Sequence, residues 1–188
     1  MNTLTHLKQL CVTVPLLLFP ALYGFPCLAQ NVTGKAVERD SVIAAAREIM
    51  AMQHYCGLAT VDSSGQVHVR TMNPFPPESD MTVWIATNSR SRKAHEIRNN
   101  SRVCLYYSDH QNATGYVAIT GKAVLVDDMA EKLKRKRGYW DQAFPDWKYL
   151  LLIKVVPQRL EVVNYRRGML NDTLTWSAPS ISFDNPVQ

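Results

Sequence analysis

The chain has 188 residues, 46% of them hydrophobic and 20% charged, which is enough for one globular core and too little for two ordinary domains. Its formal net charge is +5, and because Lys8 is the only charged residue among the first 29, losing them leaves +4. That mild surplus argues against a dedicated nucleic-acid binder, and neither the cysteines nor the histidines have metal-site spacing.

Residues 1–29 read as a secretory leader. His6 and Lys8 precede an apolar stretch over 10–22 that Pro15 and Pro20 interrupt, and Cys27, Leu28 and Ala29 put a small residue before Gln30. The stretch is short for a span of about 20 residues and holds two prolines, so a cleaved leader fits better than a membrane anchor. Cleavage after Ala29 would make the protein exported, periplasmic or secreted. Two cysteines remain, Cys56 and Cys104, in apolar surroundings that suit buried thiols better than a disulfide.

The folded domain is expected over residues 37–166, with 167–188 as a polar tail. Val42, Ala46 and Ile49 recur on one stripe after Asp40 and Ser41, predicting a helix over 37–52. Residues 55–61 form an apolar strand. Asp62 to Gly65 have hairpin chemistry, and 66–72 return with Val67, Val69 and Thr71 alternating against His68, Arg70 and Met72. The prolines of 73–77 make a rigid loop. A strand over 81–86 and a turn over 88–91 lead to a helix over 92–99. Strands follow at 102–107 and 116–126, then a helix over 128–144, then strands at 149–156 and 158–165 joined through Pro157. Many short strands with short connections predict a mainly β fold, a small antiparallel barrel with flanking helices.

The chemistry concentrates in residues 87–94. They follow a strand and open a helix, whose first turn offers unpaired N–H groups and the positive end of its dipole. Thr87 and Ser91 add hydroxyls, Arg92 and Lys93 add charge, and Arg70 on a neighbouring strand can converge from the side. Such a set fits a phosphate monoester. It equally fits a solvated basic first turn, and the residues alone leave the two readings open. The basic run from Lys132 to Arg137 reads as a solvated helix face before it reads as a patch for anionic lipid or nucleic acid.

Two blocks carry a resemblance. Leu58 to Asp62 with Gly65 to Thr71 resembles the opening hairpin of the pyridoxamine 5′-phosphate oxidase-like FMN-binding split-barrel family. Thr87-Asn88, Ser91-Arg92-Lys93-Ala94, Ile97, Asn100 and Arg102-Val103 resemble that family's next block, and Gly121-Lys122-Ala123 its following strand. The resemblance covers about residues 40–165. It implies a six-stranded antiparallel split barrel, working as a homodimer with FMN between the subunits. By position it makes Arg70 and Lys93 phosphate contacts, with Arg92, Ser91 and Thr87 as further phosphate or ribityl contacts. Thr71 and Met72 would offer backbone groups to the flavin ring, and Tyr116 stands where the oxidase has a flavin-contacting Gln. The chain also departs from the oxidase: Phe75 stands near the position of a substrate lysine, and the closing Trp, Arg and His motif is missing. Pyridoxamine-phosphate oxidation is therefore not expected, and the segment 132–161 looks more like the family's general-stress-protein branch. The resemblance implies an FMN-dependent oxidoreductase of unknown substrate; the alternative is an exported, non-catalytic module for flavin, haem or a similar planar anion.

Overall fold

Alternating side chains over residues 66–72 need a strand with two distinct faces. In the computed structural model, which describes residues 38–184, that strand is an edge of a seven-stranded antiparallel sheet. The elements in chain order are α1 (Arg39–Met52), β1 (Cys56–Val61), β2 (Val67–Met72), β3 (Val83–Asn88), α2 (Arg92–Asn99), β4 (Arg102–Ser108), β5 (Gly115–Val126), α3 (Met129–Lys134), α4 (Trp140–Ala143), β6 (Leu150–Asn164) and β7 (Ser180–Ser182). The first hairpin closes as its residues require. The Asp62 carboxylate accepts from the Ser64 and Gln66 N–H groups, and Gly65 takes φ 89°, which a side chain would resist.

Strand order is β2-β1-β4-β5-β6-β3, with β7 added beside β6. The path curls until its ends meet. Pro74, just past β2, bridges to Ile85 of β3, and the Phe75 N–H donates to the Trp84 carbonyl at 2.8 Å. The result is the expected split barrel, a curled antiparallel half-barrel with flanking helices. Its interior is filled from both sides of the curl by Leu58, Leu105, Ile119, Leu160 and Val162, all fully buried. One end is covered by Val42, Ala45, Ala46 and Ile49 of α1, and Asn164 Nδ2 pins that helix by donating to the Ala45 carbonyl at 3.1 Å. Cys56 lies inside, its thiol pushed up to about 12 by burial, while Cys104 faces the other side of the sheet; both are free.

Three expectations need correction. The helix over 128–144 is two short helices, α3 and α4. Asp128 caps the first by accepting from the Glu131 N–H, and the chain then breaks before Gly138, a poor helix former. The basic run is solvated only at Lys134 and Lys136. Lys132 is 2% exposed and pairs with Asp127, Arg135 lies 3.8 Å over the Trp84 ring and pairs with Glu78 and Glu131, and Arg137 stacks on Phe75. These contacts wrap the α3–α4 segment around fully buried Trp140, which packs with Trp84, Leu150 and Leu152. The two strands expected on either side of Pro157 are one strand, β6, whose ladder with β5 shifts register beside Gly121, so that a bulge accommodates the proline. The polar tail also contributes β7 and sends Phe183 into the core. No helix among the described residues is long and apolar enough to cross a membrane, and the expected leader over 1–29 lies outside them.

Candidate functional site

Pairing register decides which side chains share the open edge of the barrel. Arg70 sits opposite Leu58 and His68 opposite Thr60, so the inner face of β2 presents His68 and Arg70 beside the buried Thr60 hydroxyl. β3 ends at Asn88, the chain turns, and α2 starts at Arg92 with Ser91 as N-cap. The Ser91 hydroxyl makes no capping bond; it lies 3.2 Å from the Thr87 hydroxyl, which also accepts from Lys93 Nζ at 3.3 Å.

Glu96, one turn into α2, is the hub. It is 3% exposed, an unusual place for a carboxylate. Its Oε2 accepts from the Thr60 hydroxyl and from Arg70 Nη2 at 2.8 Å; its Oε1 has Arg92 Nε at 3.2 Å and His68 Nε2 at 3.8 Å, but no hydrogen bond of good geometry. Burial pushes the Glu96 pKa up, yet the Thr60 hydroxyl and the Arg70 guanidinium outweigh it and hold the carboxyl below its usual value. His68 Nε2 is also 2.9 Å from Asp62, so hairpin turn, β2 and α2 are tied into one charged cluster.

Lys93 is different. Burial lowers its pKa, the Arg70 charge lowers it further, and among the described residues it forms no salt bridge. Arg70, Arg92 and Lys93 against Glu96 and Asp62 leave the cluster with a surplus of one positive charge when His68 is neutral. A half-buried cation beside another cation is unfavourable unless an anion completes the set, and a phosphate monoester carries close to two negative charges.

The structure thus brings Arg70, Thr87, Ser91, Arg92 and Lys93 together. Thr71 and Met72 continue β2 beside them, Thr71 exposed and Met72 against the core. Tyr116 lies elsewhere, on β5, three strand positions from β2, with its ring 5.7 Å from Tyr106. Sequence reasoning missed Glu96 and Thr60. The available signal was Glu96 itself, an isolated acid four residues after Arg92 in a basic helix.

The family profile described as pyridoxamine 5′-phosphate oxidase matches residues 42–164. Solved structures share the fold at low identity. General stress protein 26 from Bacillus anthracis is 23% identical, with 64% of this chain and 92% of that chain covered at a TM-score of 0.56. A pyridoxamine 5′-phosphate oxidase-related, FMN binding protein from Nostoc punctiforme is 19% identical, with coverages of 79% and 96% and a TM-score of 0.51. A heme binding protein from Mycobacterium smegmatis is 15% identical, with coverages of 68% and 55% and a TM-score of 0.54. No curated protein matches the chain.

Proposed function

The chain belongs to the pyridoxamine 5′-phosphate oxidase family, and from that premise we propose that it is a flavoprotein that holds FMN by its phosphate and acts as an oxidoreductase. The observation that carries this reading is Lys93, a partly desolvated ammonium beside Arg70 with no carboxylate of its own. Arg70 and Lys93 would grip the phosphate as a planar fork and a point charge, with Thr87, Ser91 and Arg92 completing its shell. Glu96 keeps the Arg70 fork in place through Nη2, and Thr71 and Met72 would offer β2 backbone groups to the ring. FMN, when bound, supplies the electron or hydride transfer.

A homodimer belongs to the same reading. The outer face of the sheet carries exposed Val67, Val69 and Tyr106 around small Gly57 and Ala59, an apolar surface suited to a second copy. In such a dimer Tyr116 would reach the flavin held by the other subunit. Val69→Asp is then expected to yield monomers in sedimentation, and an unchanged assembly would remove the outer face from the interface. Export after Ala29 is retained as part of the proposal on the leader's residue pattern.

The test separates phosphate from ring. Lys93→Ala is expected to weaken FMN about ten- to a hundredfold, the worth of one charge-assisted contact, while riboflavin binding stays unchanged. Flavin fluorescence quenching reads both. Equal loss of the two flavins, or no loss, would overturn the phosphate assignment. The second reading, a non-catalytic module for haem or a similar planar anion, is favoured by the heme binding protein among the structural neighbours. A Soret band on haem addition, with no flavin bound, would select it.

A further inference from the structure

One atom at the centre of the charged cluster is unsatisfied. Glu96 Oε1 is buried without a well-formed hydrogen bond, although Arg92 Nε stands 3.2 Å away and His68 Nε2 3.8 Å away. Native interiors rarely leave a carboxylate oxygen in that state. Its two claimants differ. The Arg92 side chain is 68% exposed, so it can turn away without uncovering the core. His68 is tethered, with Nε2 2.9 Å from Asp62.

The charges around the imidazole are Asp62 from the hairpin turn, Glu96, Arg92 and Lys93 from α2, and Arg70 on its own strand; Thr60 of β1 adds only a hydroxyl. The Ser64 hydroxyl and then His68 hold the Asp62 carboxyl below its ordinary range. Glu96 is held down as well, against its burial, by Thr60 and Arg70. Both carboxylates are therefore ionised at neutral pH and can only accept. The Nε2 hydrogen serves Asp62, and a proton that charges the ring goes to Nδ1. That proton would raise the surplus of the cluster from one positive charge to two, which matches the charge of a phosphate monoester.

We infer that His68 is a positioning residue that takes up a proton as the phosphate binds: the imidazolium then answers Glu96 Oε1, and Arg92 turns from Glu96 to the ligand. Histidine changes charge near neutral pH, and a dianion arriving at Arg70 and Lys93 favours its charged form. Affinity for a dianion of fixed charge therefore rises as pH falls through the histidine range and weakens as pH rises above it. The inference rests on the phosphate assignment and adds its control by pH.

Isothermal titration of the full chain with sulfate, which keeps both charges throughout, tests it in buffers of different ionisation enthalpy. The parent is expected to take up a substantial fraction of one proton per sulfate at about pH 7.5, and to bind sulfate at least about threefold more tightly at about pH 6 than at about pH 8. His68→Gln keeps a donor for Asp62 and should show neither effect. Uptake that persists in His68→Gln belongs to Lys93 and overturns the inference. Sulfate binding without uptake in the parent also overturns it, while the phosphate assignment stands. A parent that binds neither sulfate nor FMN overturns both. Should His68→Gln fail to fold, the ring nitrogen resonances of His68 in the parent decide. Sulfate added at about pH 7.5 should move them toward the imidazolium positions, and unmoved resonances overturn the inference.

Discussion

Glu96→Gln is expected to destabilise the protein by about 3 kcal/mol, the cost of removing one partner from a buried ion pair. The carboxylate is 3% exposed and holds Arg70, which is itself only 18% exposed, so the substitution strands a largely desolvated guanidinium. Gln preserves the shape and can still meet the Thr60 hydroxyl, which isolates the charge as the quantity lost. Denaturant unfolding measures it. Arg70→Met combined with Glu96→Gln should be less damaging than the sum of the two changes, because the double variant leaves neither charge orphaned.

The same residue predicts an acid limb. The folded carboxyl titrates below its unfolded value, so as pH falls the unfolded chain takes up this proton first. The stabilisation is fully present above the usual Glu range and disappears as pH drops through the depressed folded pKa. Stability of the Glu96→Gln variant should therefore fall less steeply with acid than that of the parent. Parallel acid limbs would mean that Glu96 is not the charged hub.

Local chemistry made much of the fold legible. The Asp62 to Gly65 turn and the period-two pattern of β2 announce a hairpin, and the register they impose sets His68 and Arg70 on one face. The hydroxyl-rich, basic opening of α2 also announced itself. Glu96 did not, because its burial arises from three separate segments, β1, β2 and α2, meeting at long range. The break before Gly138 was hidden for a similar reason. A basic run looks solvated until Trp84, Phe75 and Glu78 are known to stand beside it. Nor could pattern alone reveal that Pro157 sits inside a continuous strand, since the bulge that accommodates it belongs to the pairing with β5.

That bulge supports the second large effect, Gly121→Ala. In the sequence Gly121 was only part of a family-like triplet, with no physical reason attached. The reason is close approach. A Cβ at this position would lie 2.1 Å from the Val156 carbonyl oxygen and 3.1 Å from Pro157 Cα, and both are backbone atoms that no rotamer change can move aside. Relief requires β5 and β6 to part where β6 must already accommodate a residue without an N–H. We expect a loss of about 3 kcal/mol or more, at the upper end for overpacking. Gly138→Ala meets nothing within 4 Å and should change stability by less than about 1 kcal/mol, so it serves as the matched control. The strain would not stay local. β6 also pairs with β3, setting Thr87 against Leu151, so a displaced β6 carries the Thr87 hydroxyl away from Lys93 and Ser91. Gly121→Ala should therefore weaken both folding and anion binding, whereas Lys93→Ala weakens binding alone. If Gly121→Ala melts like the parent, the bulge opens freely and the coupling between barrel seam and phosphate cluster is lost with it.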